Sequence, residues 1–408
     1  MEERLWGSRV KVWNKSLSRT IYSTDLLEIK NPINREFMKA IAVFPSKKEI
    51  RLIDHAVPEI VSETQVKLRM LEVGICGTDK EICHFDYGLP PNGSEYLILG
   101  HESLGEVVEV GSGVSSLKPG DLVVTMVRRP CGHPECKACQ EGRQDFCYTG
   151  DFFERGIKQA HGFMAEFVVD EEKYMNFVPQ ELREIAVLVE PLTIAEKALT
   201  EIFQVQQRLP WGCPGISGQP HSYCHRAVVL GAGPVGILGA MTLVAAGFQT
   251  FVYSQESVPS LKSELIEAIG ATYVSAQTDS VEKLAERVGQ IDVVYEAAGA
   301  SQVAFHTLEV LGVNGIFVFT GVPGRKGPVS VDTDLIMRDM VLKNQVLFGS
   351  VNAGKSAYQA AIRDLTMFAK KWPKAVRSLI TGRFPMESFA DLLAGRTGGI
   401  KNVITLES

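Results

Sequence analysis

Residues 227–253, AVVLGAGPVGILGAMTLVAAGFQTFVY, carry no charged side chain. By length alone such a run suits a membrane span, which needs about 20 apolar residues. Its glycines argue otherwise. Gly231, Gly233, Gly236 and Gly239, together with Pro234, break the run at turn-like positions, and both ends are rich in β-formers. The run reads as strand, tight turn, buried helix, strand. The same alternation continues downstream: SLKSELIEAIG, then ATYVSA; VEKLAERVG, then IDVVYEAAG; SQVAFHTLEVLG, then GIFVFTG; and last QVLFGSVN. Strands alternating with helices predict βαβ units and a doubly wound parallel sheet.

A chain of 408 residues is too long for one ordinary core, so two domains are expected. Upstream of the α/β part the pattern is all-β. KAIAVFP, QVKLRMLEVG, GEVVEVG and DLVVTMV are separated by Gly, Pro and Asp turns, and GFMAEFVVDEEKYMNFVP reads as two more strands. Residues 184–208 have helical spacing, and the Gly/Pro-rich stretch 209–226 marks a boundary. The tail, 353–408, predicts one long amphipathic helix and a final strand, KNVITLES. Residues 1–37 lack the apolar core of a secretory signal and read as an extension, with disorder one option and Met38 an alternative start. The expected bounds are 38–189 with 353–408 for the β domain, and 190–352 for the α/β domain with its linker helix.

A net charge of −6 without a basic stripe argues against a nucleic-acid partner, and nothing calls for a membrane. Eight cysteines are too few for a disulfide scaffold in a chain this long. Their spacing points to metal binding in a reducing compartment, so a cytoplasmic location is expected. Four of them, Cys131, Cys136, Cys139 and Cys147, are separated by four, two and seven residues. Thiolates this close fit a tetrahedral zinc ion. Four sulfurs close the coordination shell, so this metal should hold a loop and leave no place for a substrate. A second set lies upstream. Cys76 opens CGTD, and His101–Glu102 follows 25 residues later. Thiolate, imidazole and carboxylate with one open position are what a catalytic zinc requires.

The turn GAGPVG (Gly231, Gly233, Pro234, Val235, Gly236) follows a strand and opens a helix, as dinucleotide-binding turns do. The end of the next strand, Ser254–Gln255–Glu256, is where such folds select the ribose. A carboxylate about 5 Å from a 2′-phosphate costs about 3 kcal/mol per charge at an effective dielectric of about 20. Glu256 therefore favours NAD over NADP. Cys83, Cys213 and Cys224 read as structural or free thiols, and His84, His221 and His225 as loop histidines rather than a further metal site.

In order, CGTD, GHExxGxxxxxG, the four-cysteine loop and GAGPVG resemble the zinc-dependent medium-chain alcohol/polyol dehydrogenases. RRPCG…GRQDFC, GFMAEFVV and VEPLTIAEKA resemble the glucose 1-dehydrogenase branch. The resemblance implies a GroES-like catalytic domain joined to a Rossmann domain, with the active site in the cleft between them. It implies two zinc ions per chain and hydride transfer from a sugar or polyol hydroxyl to NAD(P), with a glucose-type aldose as substrate. Cys76, His101 and either Glu102 or Glu190 would hold the catalytic zinc, with Glu102 an alternative base and Thr78 the proton relay. Glu154, Glu190, Glu196 and Asn352, with Thr78, would face the substrate. Thr320, Gly321, Val322, Ser350, Val351 and Asn352 would line the nucleotide. Homodimers or homotetramers are usual in the family.

The chain departs from the pattern in places. Where liver-type members carry a histidine five residues past the first Cys ligand, it has Glu81. Val127 and Leu342 stand where glucose-type members often bring polar groups. A sorbitol- or threonine-type dehydrogenase, or an inert zinc- and nucleotide-binding protein, are the alternatives.

Overall fold

The computed structural model describes residues 36–214, 222–324 and 327–406. The readings of residues 1–35 and of His221 lie outside these. The chain divides into two compact units, Met1–Val178 with Gly382–Ser408, and Pro179–Thr381. The second unit is larger than the bounds read from the sequence. It takes in residues 179–189 and the helix Lys355–Lys371, which packs against the helix Val189–Gln206. Lys355–Lys371 buries one stripe, Ala357, Tyr358, Ala361, Leu365 and Phe368, whereas Val189–Gln206 is buried on most of its surface.

The first unit is built on an antiparallel sheet. Met175–Val178, Leu122–Thr125, Glu102–Val110, Gln65–Gly74 and Lys401–Thr405 lie side by side in that order, and Phe167–Glu171 also pairs with Gln65–Gly74. Its core includes Val66, Leu68, Met70 and Val73 from the central strand, packed with Val107, Val123 and Ile404. Register matters more here than content. Gly74 pairs with Glu102, and Val403 pairs with Gly74. The end of one strand, the start of the next and the start of the last strand therefore meet at one edge of the sheet.

In the second unit six strands are all parallel. The spatial order is Thr272–Ser275, Gln249–Ser254, Arg226–Leu230, Val293–Glu296, Ile316–Phe319, Val346–Gly349. This is the Rossmann order, with the chain reversing its direction of growth once, after the third strand, Thr272–Ser275. The uncharged run folds as strand Arg226–Leu230, helix Pro234–Ala245 and strand Gln249–Ser254. Among the described residues no helix is long and apolar enough to cross a membrane. The tail holds more than the helix and final strand expected of it: Pro373–Ser378 and Phe389–Leu393 are helical, and Ile380–Pro385 is a strand. The sequence reading did not include the helix Thr333–Leu342, which buries none of its residues although it carries Leu335, Ile336, Met337, Met340, Val341 and Leu342.

Candidate functional site

Strand register brings Cys76 and His101 together. Gly74 and Glu102 are partners on adjacent strands. Cys76 leaves the end of one strand, and His101 precedes the start of the other. One ligand atom from each of Cys76, His101 and Glu102 lies within 4.8 Å of the other two. Cys76 caps the short helix Gly77–Cys83, and its N–H donates to Asp79 Oδ2 at 2.8 Å. His101 Nδ1 lies 3.4 Å from Asp79 Oδ1. Both atoms are fully buried without a hydrogen-bonding partner. Burial alone would keep His101 neutral, yet the Asp79 carboxylate and the Cys76 sulfur hold its pKa well above the usual value. With Nδ1 turned to a carboxylate, Nε2 is left as the ligand atom, the arrangement that orients metal-binding histidines. A thiolate and an imidazole backed by a buried carboxylate fit zinc. Sequence reasoning assigned no role to Asp79; its place three residues after the helix cap was the available signal.

Glu102 is buried, and so is Lys401, whose Nζ donates to both carboxylate oxygens at 2.6 Å and to Ile75 O at 3.1 Å. Gly74 makes this possible, because a Cβ there would stand 2.1 Å from Glu102 Oε2. Glu102 thus sits among the metal-type atoms with both oxygens already engaged by a cation. Thr78 Oγ1 is 3.9 Å from Cys76 Sγ, close enough to share its surroundings with the thiolate. Glu190 lies in the first turn of Val189–Gln206, in the second unit, where its carbonyl accepts from Thr193 Oγ1 at 2.6 Å.

The four-cysteine loop closes on itself despite its long first gap. Ligand atoms of Cys131, Cys136, Cys139 and Cys147 lie within 4.8 Å of one another, with Cys136 Sγ 3.9 Å from Cys147 Sγ. Backbone N–H groups of Cys139 and Tyr148 pull the Cys136 thiol pKa down. Burial opposes ionisation of Cys147, but Thr149 and the Gly150 N–H bring its pKa down to about 6. Burial pushes Cys139 up to about 12. Thiolates crowded in this way repel one another, and a divalent cation at their centre relieves that repulsion.

At the nucleotide turn each glycine has a distinct reason. Gly231 has φ +95, and a Cβ at Gly236 would stand 2.1 Å from Gly231 O. A Cβ at Gly233 would meet nothing within 4 Å, so its backbone borders open space at the start of the helix Pro234–Ala245. Free N–H groups at such a helix start suit a phosphate, and Val235 lies in that first turn. Ser254 ends the second strand, and its Oγ accepts from Ala232 N at 3.3 Å and donates to Glu256 Oε2 at 2.7 Å. Gln255 is exposed between them. Lys262, seven positions beyond Gln255, folds back to pair with Glu256. Burial works against the Glu256 charge, but Lys262 and Ser254 hold its pKa below the usual range. Glu256 is therefore not a bare carboxylate, which removes much of the electrostatic argument for NAD.

Thr320 and Gly321 follow the fifth strand, and Ser350, Val351 and Asn352 follow the sixth, so both groups lie at the carboxyl ends of the parallel sheet. Ligands of open α/β sheets bind there. Val322 and Val351 are exposed and Ser350 Oγ is buried without a partner. Asn352 has φ +58, and its Oδ1 accepts from Ala353 N at 2.8 Å. Glu296, unassigned from sequence, collects the N–H groups of Ala298, Gly299 and Gly321 at 2.9, 2.7 and 3.2 Å and so shapes this rim.

Two residues expected to face substrate have protein partners. Glu154 Oε1 accepts from Arg128 Nε and Nη2 at 3.0 and 2.9 Å in a buried pair. Glu196 is buried between helices and accepts from Thr242 Oγ1 at 3.2 Å. Burial and the Asp364 carboxylate raise its pKa to about 8. Val127 is buried, whereas Leu342 is exposed. Cys213 and Cys224, read from sequence as structural or free thiols, are joined in a disulfide.

Residues 62–180 match the alcohol dehydrogenase GroES-like domain, and residues 183–406 match the glucose dehydrogenase C-terminus. The chain belongs to the glucose 1-dehydrogenase branch of the zinc-dependent medium-chain alcohol/polyol dehydrogenases. The glucose 1-dehydrogenase of Methanocella arvoryzae is 38% identical over 370 residues, covering 90% of this chain and 99% of the relative. That of Thermoproteus tenax is 37% identical over 372 residues, covering 91% and 100%. A solved structure of Haloferax mediterranei glucose dehydrogenase in complex with NADP, Zn and gluconolactone superposes with a TM-score of 0.79 at 32% identity, covering 91% of this chain and all of that one. Members of this family are zinc-dependent oxidoreductases that use a nicotinamide nucleotide, and this chain is one of them. The comparisons do not favour the sorbitol-type, threonine-type or inert alternatives.

Proposed function

We propose that the protein oxidises glucose, or a closely similar aldose, at its anomeric hydroxyl. The convergence of Cys76, His101 and Glu102 at one sheet edge carries this reading. The glucose 1-dehydrogenases among its relatives supply the substrate. When bound, zinc supplies a Lewis acid that lowers the pKa of the sugar hydroxyl, and the nicotinamide accepts hydride. Cys76 and His101 hold the metal. Asp79 fixes the tautomer of His101. Thr78 takes the hydroxyl proton outward. Glu102, the carboxylate of this cluster, would be the third partner, with Lys401 balancing its charge. Glu102 is a poor base while Lys401 holds it.

A second zinc at Cys131, Cys136, Cys139 and Cys147 completes two per chain. The paired Glu256 and Lys262 suit a ribose hydroxyl through the acid and a 2′-phosphate through the ammonium, so either NAD or NADP fits this strand end. A homodimer or homotetramer in the cytoplasm fits the family and the thiolate-rich metal sites.

A spectrophotometric screen of aldoses and polyols against NAD and NADP, on zinc-replete protein, tests this reading. Reduction of nucleotide with glucose at the highest kcat/KM is expected. Turnover confined to polyols would defeat it.

A further inference from the structure

The connection entering the first Rossmann strand holds a group that the dehydrogenase chemistry does not use. Cys213 and Cys224, eleven positions apart, form a disulfide. Cys224 is exposed, while Cys213 is half-buried. The Cys224 N–H donates to Cys213 Sγ at 3.0 Å. A ring nitrogen of His225 lies within 4.8 Å of both sulfurs. That ring is held firmly. Nε2 is 2.6 Å from Trp211 O, the Trp211 ring stacks on it at 4.3 Å, and Nδ1 is 3.7 Å from Asp292 Oδ1. With both nitrogens facing acceptors, the ring suits its charged form, and its pKa is raised, although burial pulls the other way.

The two sulfurs are therefore unequal. Cys224 is the exposed residue, the one an external thiolate reaches. Cys213 Sγ, which accepts the Cys224 N–H and shares the His225 ring with its partner sulfur, is the better leaving thiolate. Attack rates rise as the leaving thiol's pKa falls. We infer that Cys213–Cys224 is a thiol–disulfide exchange site for low-molecular-weight monothiols, attacked at Cys224 with Cys213 as the leaving sulfur. One thiol forms a mixed disulfide with Cys224 as the Cys213–Cys224 bond breaks, and Cys213 leaves as thiolate and takes a proton. A second thiol cleaves the mixed disulfide. Two monothiols become one disulfide, and the protein gains two thiols. His225 positions and stabilises the leaving sulfur. A three-ligand metal site of the same residues is disfavoured, because both ring nitrogens already have partners.

The test uses zinc-replete full-length protein, with free thiols blocked by iodoacetamide and then limiting glutathione added. Peptide mass spectrometry after acid quench should find the glutathione adduct on Cys224. His225→Gln should slow opening about threefold for each unit by which the leaving thiol's pKa rises. His225→Lys, which keeps a cation, should recover the rate. An adduct chiefly on Cys213, an unchanged rate in His225→Gln, or no Cys213–Cys224 linkage in the starting protein would overturn the inference. So would a third zinc per chain that is lost in Cys213→Ser.

Discussion

Lys401 Nζ sits 2.6 Å from both carboxylate oxygens of Glu102, although 299 positions separate the two residues in sequence. Both side chains are buried. A buried ion pair often contributes little net stability, but breaking one leaves an uncompensated charge that costs about 3–5 kcal/mol. Lys401→Met should therefore destabilise the first unit by about that amount, read by urea unfolding. Adding Glu102→Gln should recover most of the loss. A double variant as unstable as the single one would show that packing, not charge, is what Lys401 provides.

The two metal centres should separate in their consequences. Cys76→Ala should fold with near-normal unfolding behaviour and lose turnover. Cys136→Ser should lower the thermal midpoint first, because four thiolates close a shell that holds the 131–147 loop. Zinc content by elemental analysis should fall from two to one in each. A stable, inactive Cys136→Ser protein would mean the roles are reversed.

Asp79→Asn removes the carboxylate facing His101 Nδ1 and should weaken zinc retention about 10–100-fold. Competition with a chromogenic chelator measures it. Unchanged retention would place Asp79 in the helix cap alone.

Glu196 titrates near 8 in the folded chain against an ordinary 4.5, with burial the larger cause and Asp364 the next. The folded state therefore holds a proton that the unfolded state releases between these values. Its stabilising contribution is complete below about pH 4.5 and is lost as pH rises toward 8. The thermal midpoint should fall across that window, and Glu196→Gln should flatten the fall. A midpoint profile identical in the variant would refute this assignment.

Gly236→Ala places a Cβ against Gly231 O, so the nucleotide turn must shift. KM for nucleotide should rise by about tenfold or more, roughly 1.4 kcal/mol of binding, with zinc content unchanged. Separately, Glu256→Ala releases Lys262 and should move the NADP/NAD ratio of kcat/KM toward NADP.

Much of this architecture was legible because its signals are local. The turn GAGPVG, the four-cysteine loop and each strand with its following helix lie within a few dozen residues, where periodicity and spacing carry information. The helix Thr333–Leu342 was not read from the sequence, and its apolar residues Leu335, Met337, Val341 and Leu342 stand exposed rather than facing a core. Glu154 and Glu196 were placed by analogy to face substrate, yet side-chain direction depends on partners, here Arg128 and Thr242, that local pattern does not specify.

By itself the sequence determined the two folds, their order along the chain, the nucleotide turn and the two sets of metal-type residues. Only the tertiary structure decided which charge meets which. Strand register set Gly74 beside Glu102 and brought Lys401 onto it, and the fold-back after the second Rossmann strand put Lys262 on Glu256. The reason is physical. A buried charge must find a partner, but the cost of leaving it unpaired is levied in three dimensions, and hydrophobic periodicity along the chain does not record where the partner comes from.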